Sequence, residues 1–160
     1  MHKTGVLFVC LGNICRSPLA QGVLEHRLAR TVDSGKILVD SCGTAAFNVG
    51  KAPDPRAIAA AERRGYAIAT HRARQIHDED FRNFRYILAM DYSNLLTLRG
   101  WAPGDFSGEL RLLMQYAPGS GNCELADPYY SGADAFDSTL SAIETAVEGL
   151  LHMLLPPTAS

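Results

Sequence analysis

Val6-Leu7-Phe8-Val9-Cys10-Leu11-Gly12-Asn13-Ile14-Cys15-Arg16-Ser17-Pro18 is the stretch from which the rest of the chain is read. Val6 to Val9 are bulky and apolar without polar alternation, the pattern of a strand buried on both faces. Ser17-Pro18 predicts a helix start, with Ser17 as N-cap and Pro18 at the first helical position, where its missing amide has no partner to lose. The loop between them contains Gly12 and Asn13, residue types that tolerate left-handed backbone angles. A strand, a tight loop and a helix N-terminus form an anion cradle, with loop amides turned inward and the helix dipole adding partial positive charge. Cys10 falls at the floor of this cradle and Arg16 at its rim.

That arrangement has a definite chemistry. A free thiol, with a pKa of about 8.5, is only a few per cent ionised at neutral pH, and inward amides with a helix N-terminus favour the thiolate. The same dipoles bind a dianionic phosphate. Arg16 offers a fork of donors matched to two phosphate oxygens, which a lysine cannot present. Cys-x5-Arg as a bare pattern is common by chance; its place after a buried strand and before a helix makes it informative.

The chain has 160 residues and a formal charge of −2, which suits one domain and leaves no overall electrostatic footprint for nucleic acid or an anionic membrane. Any positive field is expected locally, at Arg16. The four cysteines, Cys10, Cys15, Cys42 and Cys123, form no Cys-x-x-Cys pair, so neither a zinc knuckle nor a thioredoxin-like site is indicated. No metal or cofactor is called for. Met1-His2-Lys3 and the apolar run after it lack the length and cleavage pattern of a signal peptide, and no stretch approaches a membrane span. A cytoplasmic protein with reduced thiols is the expectation.

Helical spacing of Leu19, Val23, Leu24 and Leu28 extends the first helix to Arg30, before a turn at Asp33-Ser34-Gly35. Ile37 to Val39 predict a second strand running into Asp40-Ser41. Residues 43–55 form a long loop with Phe47 as its aromatic, of the kind that is usually functional. Asp54-Pro55 opens a helix that Gly65 closes. A short helix is expected over 78–84 and a third strand over 86–90. Asp91 caps a helix over 92–99, and a fourth strand follows over 110–114. A second loop, 117–132, carries Asp127-Pro128-Tyr129-Tyr130. The longest helix spans 134–155, with Phe136, Leu140, Ile143, Val147, Leu150, Leu151 and Leu154 on one face, and stops at Pro156-Pro157. Strands alternating with helices imply a four-stranded parallel sheet with helices on both faces. Cys10, Ser41, Asp91 and the 127–130 segment can then share the carboxyl rim, where ligands of such folds bind.

Displacing phosphate from an alcohol also needs a proton at the leaving oxygen, and Asp127 is the best placed acid by context. The Cys10–Pro18 motif taken with Asp127-Pro128-Tyr129-Tyr130 resembles the low-molecular-weight protein tyrosine phosphatases. The likeness runs through Asp40-Ser41, Gly50 to Asp54, His71, Ala73-Arg74-Gln75, Asp80-Phe81, Tyr86-Ile87-Leu88 and Met90-Asp91. It implies a single domain over residues 1–160, of the flavodoxin-like, phosphotyrosine phosphatase I type, that hydrolyses phosphotyrosine through a phosphocysteine. By the same resemblance Cys10 is the nucleophile, Arg16 the phosphate clamp and Asp127 the general acid and base. The phosphate-binding loop takes in Leu11, Gly12, Asn13, Ile14, Cys15 and Ser17, with Ser17 hydrogen-bonded to Cys10. Asn13 takes the left-handed conformation, held by Ser41 and His71, with Asp91 orienting His71. Phe47, Tyr129 and Tyr130 wall the pocket. Phe47 stands where the family often has Tyr or Trp. Cys15 matches a cysteine that pairs reversibly with the nucleophile in the family.

Two other readings share the loop. Thioredoxin-coupled arsenate reductases have the same fold but relay a disulfide through two cysteines close in sequence, whereas Cys42 and Cys123 are far apart. A phosphate-binding module without turnover would not need Cys10, Arg16 and Asp127 together. The implied partner is a phosphotyrosine-bearing protein; for a bacterial source a tyrosine autokinase and a general protein substrate are equally admissible. A monomer, or weak self-association through the aromatic rim, is expected.

Overall fold

The strand expected at the N-terminus is Thr4–Cys10 (β1), and its side chains are buried from Gly5 onward. The computed structural model of the chain describes residues 3–156 except positions 33, 120 and 122, with Ser34 described by its backbone alone. Met1 and His2, Asp33 of the expected turn and Pro157 of the expected helix stop therefore lie outside the described residues. Helix α1, Arg16–Leu28, follows the loop, and β2, Ile37–Gly43, pairs with β1 in parallel from Thr4↔Ile37 to Cys10↔Gly43. Next come α2, Pro55–Arg63, and the single turn α3, Asp80–Asn83. Strand β3, Tyr86–Ala89, leads into α4, Tyr92–Trp101; β4, Glu109–Leu112, and α5, Ala133–Leu154, complete the chain.

The strands form one parallel sheet in the order β2-β1-β3-β4. The chain runs outward in both directions from β1, so the switch in strand order lies beside the carboxyl end of β1, at Cys10. Alternation along β1 sends side chains to opposite faces. Val6 and Phe8 join α1, α2 and α5 in one core through Leu19, Leu24, Ala60, Phe136, Ile143 and Val147. Leu7 and Val9 join Phe81, Phe84, Leu95 and Leu98, which brings α3 and α4 to the other face. Each fully buried side chain of this size stabilises the fold by about 1.5–3 kcal/mol, so both faces hold the loop after β1 on rigid supports. No helix among the described residues is long and apolar enough to cross a membrane.

Three local expectations change. Helix α1 begins at Arg16 with Cys15 as its N-cap, and no side chain caps it. Ser17 and Pro18 therefore sit inside the first turn, and the Ser17 hydroxyl is left to face Cys10. The fourth strand ends at Leu112 rather than 114, because the Leu112 N–H donates to the Gln115 side-chain oxygen at 2.9 Å and the chain turns into a 3-10 segment, Leu113–Tyr116. That turn sends Leu112 and Leu113 into opposite cores. The expected turn near Ser34 is a 3-10 segment, Ser34–Lys36. Asp54 and Asp91 do cap their helices, accepting from the Arg56 and Asn94 amides at 2.8 Å each, and Gly65 closes α2 at φ 85°.

Candidate active site

The loop after β1 is held open by one residue. Asn13 is the non-glycine residue with positive φ among those described, at 56°, and its side chain is wholly buried. An asparagine tolerates this conformation better than most residues, provided its carboxamide is satisfied. It is. The Nδ2 group donates to Ser17 Oγ at 2.8 Å and to Ser41 Oγ at 3.1 Å. The Oδ1 atom accepts from the Arg74 amide at 3.0 Å and meets His71 Nε2 at 3.1 Å. The Arg74 amide can only donate, which fixes the orientation of the carboxamide and assigns the proton of neutral His71 to Nε2. Burial lowers the His71 pKa below its ordinary 6.5, Asp40 works against this, and Arg74 and Arg72 reinforce it.

Gly12 serves a different purpose from the one expected: its φ is not positive. A Cβ there would stand 2.5 Å from Asn48 Nδ2, which donates to the Gly12 carbonyl at 3.3 Å. Glycine is needed for close approach, not for a left-handed turn.

Cys10 lies at the floor, 3% exposed. The Asn13 amide donates to its sulfur at 3.2 Å and Ser17 Oγ stands 2.9 Å away. Because Asn13 already donates to Ser17 Oγ, that hydroxyl has its own proton to direct at the sulfur, with the Cys42 carbonyl at 3.4 Å as the competing acceptor. Cys15 is also buried; desolvation pushes its thiol well up, with Asp54, Cys10 and Asp127 adding to the rise. All four cysteines are free thiols. Cys42 belongs to the core on the other face of the sheet, and Cys123 packs against that same core, away from Cys10 and Cys15.

Arg16 differs most from its sequence reading. It is not a rim cation but 2% exposed, with Nη1 donating to Asp91 Oδ2 at 2.8 Å and to the Leu125 carbonyl at 2.7 Å. Its Nη2 stands 3.7 Å from Asp127 Oδ2. Asp91 is therefore bonded to Arg16 and to the head of α4, and it does not orient His71 as the resemblance implied. The correction has a simple cause: Asp91 follows β3, the strand next to β1, and a buried guanidinium there needs an anionic partner.

A cleft of about 310 Å³ opens above this floor. Cys10, Cys15, Arg16 and Asp127 line it, as do Leu11, Gly12, Ile14, Phe47, Tyr129 and Tyr130. Phe47 and Tyr130 are 65% and 90% exposed, so the walls are rings standing in solvent at the mouth. Two residues of the site, Asn48 and Gln21, had no signal in the sequence, and Arg74 had one only through the resemblance. Asn48 braces the Gly12 carbonyl, Gln21 accepts the Ser41 hydroxyl at 2.6 Å, and Arg74 holds Asn13 from its backbone while its guanidinium bridges Asp40 and Asp80. Each acts through a contact between distant segments.

A buried thiol and a buried arginine line one cleft with a carboxylate beside the arginine, at the switch point of a parallel sheet. Comparison with known proteins gives it a family. The model of the low molecular weight phosphotyrosine protein phosphatases matches residues 5–156. The low molecular weight phosphotyrosine protein phosphatase of Sus scrofa is 42% identical over 135 residues, covering 83% of this chain and 84% of its own. A crystal structure of a protein tyrosine phosphatase from Entamoeba histolytica, with Hepes in its active site, superposes with a TM-score of 0.89 at 33% identity, covering 95% of this chain and 97% of its own. That of a Drosophila arginine phosphatase, DARP, does so at 0.87 and 33%, covering 96% and 99%. The chain belongs to the low molecular weight phosphotyrosine protein phosphatase family, which are hydrolases of phosphoric monoesters.

Proposed function

We propose that the protein hydrolyses phosphotyrosine, with Cys10 as nucleophile, Arg16 as phosphate clamp and Asp127 as general acid and then general base. The observation that carries this reading is that Cys10, Arg16 and Asp127 line one cleft, with Arg16 Nη2 3.7 Å from the Asp127 carboxylate. In the first step the Cys10 thiolate attacks phosphorus, an S–P bond forms, the P–O bond to the tyrosyl oxygen breaks, and Asp127 gives its proton to that oxygen. In the second, Asp127 takes a proton from water, which attacks phosphorus and returns the Cys10 thiolate with release of inorganic phosphate. Loop amides and the start of α1 offset the charge on the equatorial oxygens in both steps. Ser17, Ser41, His71 and Asp91 hold this machinery in position.

The walls favour an aryl ester. Leu11, Ile14, Phe47 and Tyr129 offer apolar surface to a ring, and the short alkyl chain of phosphoserine carries no ring to use it. A phosphorylated guanidinium would bring N–H groups against the same apolar walls, which disfavours the substrate that the Drosophila relative's name suggests. We infer that the whole chain, residues 1–160, acts as one unit on a phosphotyrosine-bearing protein in the cytoplasm. A tyrosine autokinase is an admissible substrate, and a monomer or weak self-association through the aromatic rim the working state. The test compares kcat/KM on matched phosphotyrosine, phosphoserine and phosphoarginine peptides. Phosphotyrosine should lead, and Cys10→Ser should abolish turnover while still binding inorganic phosphate. Turnover near wild type in Cys10→Ser would remove the nucleophile assignment.

A further inference from the structure

Arg56, the second residue of α2, lies outside the phosphate loop and touches none of the groups just given roles in bond making. Every nitrogen of its guanidinium is nonetheless bonded. Nε and Nη2 donate to the two carboxylate oxygens of Asp54 at 3.0 and 2.9 Å. Nη2 also donates to the Tyr129 carbonyl at 2.9 Å, and Nη1 to the Ser131 carbonyl at 3.0 Å. The guanidinium carbon stands 4.6 Å from the Phe136 ring centre and 5.5 Å from that of Tyr129. Asp54, in turn, is tied to the phosphate loop, its amide donating to the Ile14 carbonyl at 2.8 Å. One side chain thus joins the outer edge of the phosphate loop to the middle and far end of the turn that follows Asp127.

That turn needs an anchor. On its upstream side Leu125 is fixed, its amide donating to Met90 and its carbonyl accepting from Arg16. Downstream, Tyr129 N–H donates to Asp127 Oδ1 at 3.1 Å and Ser131 N–H to the Pro128 carbonyl at 3.0 Å, bonds that shape the turn without locating it. Pro128 is buried and the turn packs on α5, and Arg56 adds the direct link from the turn to the phosphate loop. A lysine could not replace it, because a single ammonium cannot meet a carboxylate fork and two separated carbonyls in one plane.

We propose that Arg56 is a positioning residue for proton transfer: it holds the Asp127–Ser131 segment against the phosphate loop so that Asp127 faces the leaving oxygen. The proposal rests on the reading of Asp127 as general acid. Its effect is on the step that needs a proton, not on phosphate binding, since Arg56 contributes nothing to the floor of the cradle.

The experiment measures kcat/KM, which reports transfer to Cys10, over aryl phosphates from dinitrophenyl to phenyl phosphate. Wild type, Arg56→Ala, Arg56→Lys, Asp127→Asn and the Asp127→Asn/Arg56→Ala double variant are compared, with inhibition by inorganic phosphate as the check on the cradle. Arg56→Ala is expected to slow phenyl phosphate by about 10–100-fold and the dinitrophenyl ester by no more than about threefold, with phosphate inhibition unchanged. Arg56→Lys should resemble Arg56→Ala. In the Asp127→Asn background Arg56→Ala should add less than about twofold, since both remove the same step. Equal slowing of all esters with weakened phosphate inhibition would make Arg56 a general brace of the fold and overturn the proposal. So would a full, additive loss in the double variant. If Asp127→Asn itself leaves the leaving-group dependence unchanged, the general-acid reading falls first, and the proposal with it.

Discussion

Arg16 Nη1 and Asp91 Oδ2 stand 2.8 Å apart at the carboxyl edge of the sheet. The arginine is nearly inaccessible, while the Asp91 side chain keeps 22% of its surface exposed. The pair leaves Nη2 on the Asp127 side of the cleft, and it ties Arg16 to the N-terminus of α4.

Asp91→Asn keeps the helix cap, since asparagine caps as well as aspartate, but removes the counter-charge. The expected loss of stability is about 1–3 kcal/mol, below that of a fully buried pair because Asp91 retains solvent contact. Inorganic phosphate should inhibit about tenfold more weakly as the fork loses its orientation. Chemical denaturation and phosphate inhibition check the two effects. Tighter phosphate binding would mean that Asp91 competes with the ligand rather than preparing its site.

Asn13 combines a left-handed backbone with a carboxamide that holds four partners. Asn13→Ala should destabilise the protein by roughly 3 kcal/mol, adding backbone strain to unpaired buried groups. Asn13→Gly should recover about 1 kcal/mol of that by relieving the strain, yet leave kcat as low as in the alanine variant, since the network stays broken. If glycine restores kcat, the backbone angle rather than the hydrogen bonds keeps the loop open.

His71 predicts a pH dependence of stability. Burial lowers its pKa in the folded protein from 6.5, so between the folded value and 6.5 the unfolded chain binds more protons. The stabilisation is fully present above pH 6.5 and is lost as pH falls through the folded value. His71→Gln, which keeps a donor for Asn13, should flatten the stability curve between the folded value and pH 6.5 while leaving the neutral plateau within about 1 kcal/mol. Thermal unfolding across a pH series tests this. An unchanged slope would assign the acid sensitivity to other groups.

Cys15 stays protonated through burial beside Cys10, and both thiols are free. Peroxide should oxidise Cys10 to a sulfenic acid, and Cys15 should condense with it, releasing water and forming a disulfide that dithiothreitol reverses. In Cys15→Ser the sulfenic acid has no such partner and proceeds to irreversible oxidation. Recovery of activity after peroxide should therefore be nearly complete in wild type and fall at least about fivefold in the variant. Equal recovery would leave Cys15 as a packing residue under the loop.

Much of the fold was legible because its signals are local. Buried runs at Val6 to Val9 and Tyr86 to Ala89, helical spacing in α1 and α5, and capping by Asp54 and Asp91 all follow from the nearest few residues. The opening motif also fixed the chemistry of the floor, since a thiol, a left-handed asparagine and an arginine at that spacing leave little else to build. What a local pattern could not specify is which distant residue meets which. Ser17 reads as a cap, yet its hydroxyl faces Cys10. Arg16 reads as a rim cation, yet packing buries it against Asp91 and Leu125. The resemblance implies Asp91 for His71, yet the strand order sets it against Arg16.

The sequence by itself thus determined an alternating α/β chain with a thiol cradle after its first strand, because short-range sterics and burial set both. Only the tertiary structure decided how the cradle is completed. Parallel pairing of β1 with β2 and β3 brings Ser41, Asp91 and the Arg74 backbone to the loop from segments 28, 75 and 61 residues from the loop residues they meet. Arg56 reaches the Tyr129 carbonyl from 73 residues away. Such contacts depend on the register of the sheet and on the desolvation of buried charge, which no single stretch of sequence records.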